Sequence, residues 1–123
     1  MKMVLVDTSV WVRHFREGAP NLERLLDDGE VMSHPFIIGE LACGHLKNRQ
    51  EILSLLQVLP LATQAKHEEI LQFIEQNRLM GKGLGYIDVH LSASAVLTGV
   101  PIWTYDKRLN EANEGMGIRY NQL

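Results

Sequence analysis

The sequence predicts an α/β protein in three layers, with a mostly parallel central sheet and helices on both of its faces. Short apolar runs rich in β-branched residues recur at 3–7, 31–33 and 100–105, as in buried strands. Stretches with helical spacing of apolar residues lie between these runs. Strands that alternate with helices form parallel sheets covered on both faces. No internal repeat or linker interrupts the 123 residues, so one domain is expected over 1–123.

The N-terminal elements have clear boundaries. Residues 3–7 are predicted as a buried strand that turns into a helix starting at Ser9 and ending at Gly18. A second helix begins at Pro20 and ends at Gly29. The short strand at 31–33 then follows.

The middle of the chain is mainly helical in prediction. Pro35 stands where a third helix begins, and this helix is expected to run through Leu46. A fourth helix is predicted from about Arg49 to Leu56. The apolar residues 58–61 are a weak strand candidate.

A fifth helix is predicted after Thr63, a plausible N-cap that puts Lys66 at the third helical position. Its apolar residues have helical spacing: Ile70, Leu71, Ile74 and Leu79. A glycine-rich loop at 81–85 leads into a sixth helix that carries Asp88.

The C-terminal part is predicted to complete the sheet. The strand at 100–105 is followed by a short helix from Lys107. A last strand is expected near Ile118 to Tyr120.

Four carboxylates stand where apolar segments begin, end or are interrupted: Asp7, Glu40, Asp88 and Asp106. Burial of an unpaired carboxylate costs several kcal/mol, so acids beside core segments need a cationic partner. No Lys or Arg accompanies the first three within the same segment. A shared Mg²⁺ or Mn²⁺ ion is the economical partner, because both prefer oxygen ligands.

Each acid taken alone also has a purely structural interpretation. Asp7, Asp88 and Asp106 precede predicted helices, where Asp is a favoured N-cap. Glu40 fits this interpretation less well, since helical spacing puts it on the apolar side with Ile37. Convergence favours a site, because groups at the carboxyl ends of parallel strands gather in one crevice.

Composition allows such a site and restricts the protein's location. The net charge is −3, which excludes a polycationic nucleic-acid binder. The four acids contribute four negative charges, so the rest of the chain carries +1 and an anionic substrate remains compatible. Cys43 is the single cysteine, which indicates a reducing compartment. With no stretch suited to a signal peptide or a membrane span, we expect a soluble, cytoplasmic protein.

Each of the four acids lies in a short segment of the chain: residues 5–11, 38–41, 85–91 and 102–109. In this order the segments resemble the motif blocks of PIN-domain nucleases, and of VapC-type toxins from toxin–antitoxin pairs in particular. The resemblance extends from Met3 to the predicted last strand and implies a single PIN domain. It implies that Asp7, Glu40, Asp88 and Asp106 are the catalytic, metal-binding quartet. It also implies supporting roles for the hydroxyls of Thr8 or Ser9 and of Thr104.

The resemblance implies a Mg²⁺- or Mn²⁺-dependent endoribonuclease that cleaves single-stranded or structured RNA. Two such ions, roughly 3.5–4 Å apart, can activate a water and stabilise the leaving oxygen. Among the basic residues, Arg13, Lys107 and Arg108 are candidate phosphate contacts, although solvated surface charges are the commoner case. Two other classes stay open. One is a phosphotransfer or phosphatase domain using Asp7, against which Ser9 stands where a second Asp is wanted. The other is a non-catalytic binding module with the acids as caps.

As a VapC-type toxin, the protein is expected to form a homodimer and to bind a small VapB-like antitoxin. The N-terminal helices carry more apolar residues than a small domain is expected to bury. They are Trp11, Val12, Phe15, Leu22, Leu25, Leu26, Phe36 and Ile37. The antitoxin is expected to cover this surface and to place a basic side chain, most suitably Arg, against the acids.

Overall fold

The computed structural model describes residues 2–121, with a parallel sheet as its central element. Strand β1 (Val4–Val6) lies between β2 (Val31–Met32) and β3 (Ile102–Trp103) and pairs in parallel with both. Every residue of β1 is buried. Because successive side chains of a strand point to opposite faces, this burial means that both faces of the sheet are covered. The predicted α/β class is confirmed.

Helices make up most of the described part of the chain. They are α1 (Thr8–Glu17), α2 (Pro20–Asp27), α3 (Pro35–Ala42), α4 (Arg49–Val58), α5 (His67–Asn77), α6 (Tyr86–Thr98) and α7 (Lys107–Gly115). The main core combines the strands with the inner sides of α1, α2, α3 and α6. A smaller apolar cluster around Ile70 and Val89 joins α5 to α6.

Both edges of the sheet are extended by single parallel bridges. Leu61 bridges to Ser33 beyond β2, and Arg119 bridges to Ile102 beyond β3. The strand candidate at 58–61 is therefore reduced to one bridge, because α4 continues through Val58. The strand expected near 118–120 is likewise a single bridge.

Helix α3 is shorter than predicted and ends at Ala42 instead of Leu46. The guanidinium of Arg49 donates to the carbonyl oxygens of Ala42 and Gly44. These bonds satisfy carbonyl groups that a continuing helix would otherwise have used. The side chain that ends α3 thus comes from the start of α4.

Helix α5 begins later than predicted, at His67, with Lys66 in the N-cap position. The carboxylate of Glu69 accepts from the N–H of Lys66 at 2.8 Å, which is the reciprocal half of a capping box. Thr63 is not the cap, and its N–H donates to Thr98 Oγ1 at 2.9 Å. Glu69 was the sequence signal for this boundary.

The expectation of surplus apolar residues on the N-terminal helices is wrong for half of the eight. Trp11, Leu22, Leu25 and Ile37 are each at most 3% exposed. The layered arrangement packs one side of each helix against the sheet, so these side chains belong to the core. Of the other four, Val12 is 44% exposed, and the remainder are half-buried: Phe15, Leu26 and Phe36.

Across residues 2–121, no helix is both long enough and apolar enough to cross a bilayer.

Candidate active site

The candidate site lies at the carboxyl edge of the sheet, between β1 and β3. The register pairs Val6 with Trp103, so the next residues, Asp7 and Thr104, emerge side by side. From β1 the chain passes to β2 on one side and later returns to β3 on the other. Such a reversal in strand order opens a crevice at the carboxyl ends of the strands, where ligands of open α/β sheets bind.

Asp7 is buried at the bottom of this edge, with 6% exposure. Its Oδ2 accepts from the hydroxyl of Thr104 at 2.7 Å and from that of Ser9 at 2.8 Å. The same oxygen accepts from the Ser9 N–H at 3.4 Å and so caps α1. The capping interpretation and the site interpretation therefore both apply to this carboxylate.

Asp106 is exposed and is joined to Asp7 through Thr104. The N–H of Asp106 donates to Thr104 Oγ1 at 3.0 Å, and that hydroxyl donates to Asp7. Asp106 also caps α7, since its Oδ1 accepts from the Leu109 N–H at 2.9 Å. Thr104, 2% exposed, is thus fixed between the two acids.

Asp88 is the third residue of α6, within the first turn of the helix, and is not its N-cap as the sequence suggested. Its Oδ2 accepts from the N–H of Gly85, the residue in the cap position, at 3.1 Å. Burial raises the pKa of the Asp88 carboxyl, and the Gly85 N–H opposes that rise. The negative charges of Asp7 and Asp106 raise this pKa further, so both acids lie near enough to act on the Asp88 carboxyl.

Glu40 is exposed, contrary to the prediction that it belongs to the apolar side of α3. The buried side of this helix is formed by Ile37 and Leu41. Glu40 Oε1 accepts from the Thr8 hydroxyl at 2.7 Å, and this bond is its connection to the residue next to Asp7. Asp7 and Asp106 are therefore linked through Thr104 and both act on the charge of Asp88, whereas Glu40 lies at the rim.

The donor set of these acids suits a hard divalent cation. In the described chain, Arg13 pairs with Glu17 and Arg119 with Glu114, and neither ion pair involves one of the four acids. Within residues 2–121, Lys107 and Arg108 thus form no ion pair with Asp106. In residues 2–121, no three acidic, imidazole or thiol groups converge on one point as a complete ligand set. Mg²⁺ does not require one, since it binds through one or two carboxylates and keeps several waters.

The predicted phosphate contacts occupy different surroundings. Arg13 is salt-bridged to Glu17 at 2.7 Å, and its guanidinium lies 4.7 Å from the centre of the Tyr105 ring. Arg108 packs over the glycine-rich loop, where a Cβ on Gly83 would come within 2.9 Å of its Cδ. Lys107 is exposed at the first position of α7.

Two features near the site were missed from the sequence. Tyr105 is 38% exposed although it directly follows the buried Trp103 and Thr104. The only sequence signal for Tyr105 was its position directly before Asp106.

His34 is fully buried, and its Nδ1 accepts from the Phe36 N–H at 3.0 Å, which caps α3. Burial, followed by the charge of His90, lowers the pKa of His34 to about 4.

Comparison with known proteins agrees with this fold. Residues 4–115 match the family model of the PIN domain, so the chain belongs to the PIN-domain family. Ribonuclease VapC32 of Mycobacterium tuberculosis is 43% identical over 117 residues, which span 94% of this chain and 94% of the relative, with the same figures in two strains. At this identity the chain is a VapC-type member of the family.

A solved structure with the same fold is PAE2754 from Pyrobaculum aerophilum. It aligns with a TM-score of 0.63 at 16% sequence identity, over 93% of this chain and 81% of that one. At this identity the likeness concerns the fold alone.

Proposed function

We propose that the protein is a Mg²⁺- or Mn²⁺-dependent endoribonuclease that acts as the toxin of a toxin–antitoxin pair. The observation that carries the proposal is that Asp7 and Asp106 both raise the pKa of Asp88, while none of the three has a Lys or Arg partner among residues 2–121. RNA cleavage is also supported by the membership of this chain in the VapC type and by its likeness to a ribonuclease.

The side chains divide into groups that bind the ion and groups that fix them. One oxygen of each aspartate is already engaged: Asp7 by Thr104 and Ser9, Asp88 by Gly85, Asp106 by Leu109. The second oxygen of each is the donor available for an ion. When bound, the divalent ion would lower the pKa of a water and offset the phosphate's charge. The hydroxyls of Thr104 and Ser9 orient Asp7.

Asp7→Asn tests the proposed reaction. We expect it to reduce RNA cleavage to background in Mg²⁺ or Mn²⁺, because the amide keeps an acceptor for Thr104 but loses the charge that binds the ion. The measurement is cleavage of cellular RNA, with both ends of each cut mapped. Asp27→Asn is the matched control, since Asp27 is an exposed acid before β2, at the opposite edge of the sheet. Full cleavage by Asp7→Asn would contradict the proposal, and turnover of a phosphate monoester without RNA cleavage would favour a phosphatase.

The antitoxin is proposed to bind in a groove beside the acids. This groove of about 750 Å³ lies between α1, α3 and α4, and Thr8 and Glu40 line it. Its apolar lining comprises Val12, Phe15, Leu41, Leu46 and Ile52. Apolar contacts along the groove and an Arg directed at the acids would suit a small VapB-like partner.

This mode of inhibition predicts competition with the metal. Because the partner's Arg and the divalent ion would use the same carboxylates, inhibition should weaken as Mg²⁺ or Mn²⁺ rises. The measurement is RNA cleavage with the protein encoded by the neighbouring reading frame, across a metal series. Inhibition that does not change with metal concentration would show that the antitoxin does not bind at the acids.

We further propose that the protein forms a homodimer and acts in the cytoplasm. Large exposed apolar side chains lie near the ends of α4 and α6, namely Leu55, Val58, Leu61, Val96 and Leu97. The bond from the Thr63 N–H to Thr98 Oγ1 brings these two chain segments together. Light scattering after size exclusion measures the oligomeric state, and a monomer would leave the nuclease proposal intact while removing the dimer.

A further inference from the structure

Tyr105 is an exposed aromatic side chain held at the border of the acidic site. Its N–H donates to Ser9 Oγ at 3.0 Å, and the same hydroxyl donates to Asp7 Oδ2 at 2.8 Å. The backbone of Tyr105 is therefore fixed one hydroxyl away from a catalytic carboxylate of the proposed reaction. The side chain nevertheless stays 38% exposed.

The phenol ring of Tyr105 is also held in orientation. The guanidinium of Arg13 lies 4.7 Å from the ring centre, and Glu17 binds that guanidinium at 2.7 Å. Trp103, which is in the core, meets the ring edge-on with 6.0 Å between centres. A planar group supported in this way presents a stacking surface with little conformational entropy left to lose.

Two grooves border this surface. One, of about 430 Å³, is lined by Arg13, Glu17 and Tyr105 together with Asn21. The other, of about 550 Å³, is lined by the same three residues and reaches Ser9. The second groove thus connects the ring to the hydroxyl that holds Asp7. A chain of nucleotides passing the acids would have the Arg13–Tyr105 pair beside its path.

We propose that the Arg13–Tyr105 pair is a stacking platform for a base of the RNA next to the cleaved phosphate. The inference rests on the proposed RNA cleavage and identifies the substrate as single-stranded at that position, because a paired base could not stack on a side chain. Aromatic rings and guanidinium planes stack on bases of any identity. The positive charge of Arg13 would in addition favour the RNA backbone.

The first arm of the test is the kinetics of Tyr105→Leu and Tyr105→Phe on a short RNA that the wild type cuts. Both variants keep the main-chain N–H that binds Ser9, so the acids stay in position. We expect Tyr105→Leu to raise KM by about 5- to 150-fold, the effect of losing one base stack, with kcat nearly unchanged. Tyr105→Phe retains the ring and should be close to wild type. An unchanged KM in Tyr105→Leu would overturn the proposal.

The second arm removes the base instead of the ring. A series of the same RNA with a single abasic ribose at each position is bound to Asp7→Asn protein, with and without Tyr105→Leu, and followed by fluorescence anisotropy. At one position the abasic RNA should bind more weakly to the protein that has Tyr105, and this difference should vanish with Tyr105→Leu. Equal losses in both proteins at every position would overturn the proposal.

A matched tyrosine distinguishes a platform from a general loss of aromatic surface. Tyr86 is 46% exposed on α6, two residues before Asp88, and binds His67 through its hydroxyl. Tyr86→Leu should leave the abasic pattern unchanged. If Tyr86→Leu removes that pattern and Tyr105→Leu does not, the proposal is wrong. A wild type that cuts no RNA would instead remove the proposed function, while the anisotropy arm would still test base stacking.

Discussion

At the scale of single residues, the acids that support helix ends keep other atoms available for the proposed chemistry. One oxygen of Asp7 and one of Asp106 cap α1 and α7. Asp88 uses one oxygen to hold the N–H of Gly85 at the start of α6. A helix cap needs a single acceptor, so the second oxygen of each carboxylate stays available. Capping and metal binding are thus compatible in one residue.

Asp88→Asn should stabilise the metal-free protein at neutral pH. Burial and the charges of Asp7 and Asp106 raise the pKa of Asp88, so its ionised form destabilises the fold. The gain should stay below about 1 kcal/mol, because the carboxyl is partly exposed and screened by solvent. The measurement is the free energy of unfolding from urea titrations in a chelator.

The stability difference between Asp88→Asn and wild type should depend on pH. A raised pKa means that the stability from the protonated carboxyl is complete below its unfolded value of 3.8 and is lost as pH rises through the folded value. The difference between Asp88→Asn and wild type should therefore open as pH rises. Added Mg²⁺ should stabilise wild type and not the variant. A variant less stable than wild type at neutral pH would indicate that the cap outweighs the repulsion.

At the scale of elements, the glycine-rich loop before α6 is shaped by a side chain from α7. Gly81 and Gly83 have nearly the same positive φ, +73° and +74°. A Cβ on Gly81 would meet nothing within 4 Å, whereas one on Gly83 would collide with the Arg108 side chain. The two positions thus differ in their surroundings and share a positive φ, which would be strained for any residue with a Cβ.

Gly81→Ala and Gly83→Ala form a matched pair that isolates the Arg108 contact. Both should lose about 1 kcal/mol of stability, because alanine is disfavoured at positive φ. Gly83→Ala should also displace Arg108 and the loop leading to Asp88, and so slow RNA cleavage beyond the effect of Gly81→Ala. The measurements are urea unfolding and cleavage rates. Equal cleavage rates in the two variants would show that the Arg108 position does not affect the site.

At the scale of the whole molecule, buried histidines link α3 to α6. His34 caps α3 through Nδ1, so its other ring nitrogen carries the proton and has no partner within residues 2–121. Phe36 lies between His34 and His90, with ring centres 5.1 Å and 4.8 Å away. Burial, and the charge of His67 on α5, also lower the pKa of His90. His34 and His90 are therefore neutral in the folded protein at neutral pH.

The free energy of unfolding should fall as pH drops from about 6.5 towards about 4. In that window the unfolded chain binds a proton at position 34 and the folded chain does not, so protonation favours unfolding. His34→Asn keeps a capping acceptor for the Phe36 N–H and cannot titrate. It should remove about 1 kcal/mol or more of the loss, since each pKa unit corresponds to about 1.4 kcal/mol. The measurement is urea unfolding across pH, and an unchanged slope would contradict the assignment.

The sequence by itself determined the fold class and the central strand, and it predicted the acids on which the proposed site depends. Residues 4–6 are apolar, β-branched-rich and followed by a capping residue, and such signals act between near neighbours. Helix ends were less accurate wherever the deciding contact came from elsewhere. Arg49 ends α3 from the next helix, and Glu69 begins α5 where Thr63 had been expected to.

Only the tertiary structure decided how the site is assembled. Thr104 reaches Asp7 across 97 positions of sequence, because parallel pairing of β1 with β3 brings their ends together. Glu40 lies at the rim because packing turned Ile37 and Leu41 inward. Tyr105 contacts Arg13 because the same pairing brings the end of β3 next to α1. Local pattern depends on neighbours along the chain, whereas a site depends on contacts that exist only after the sheet has formed.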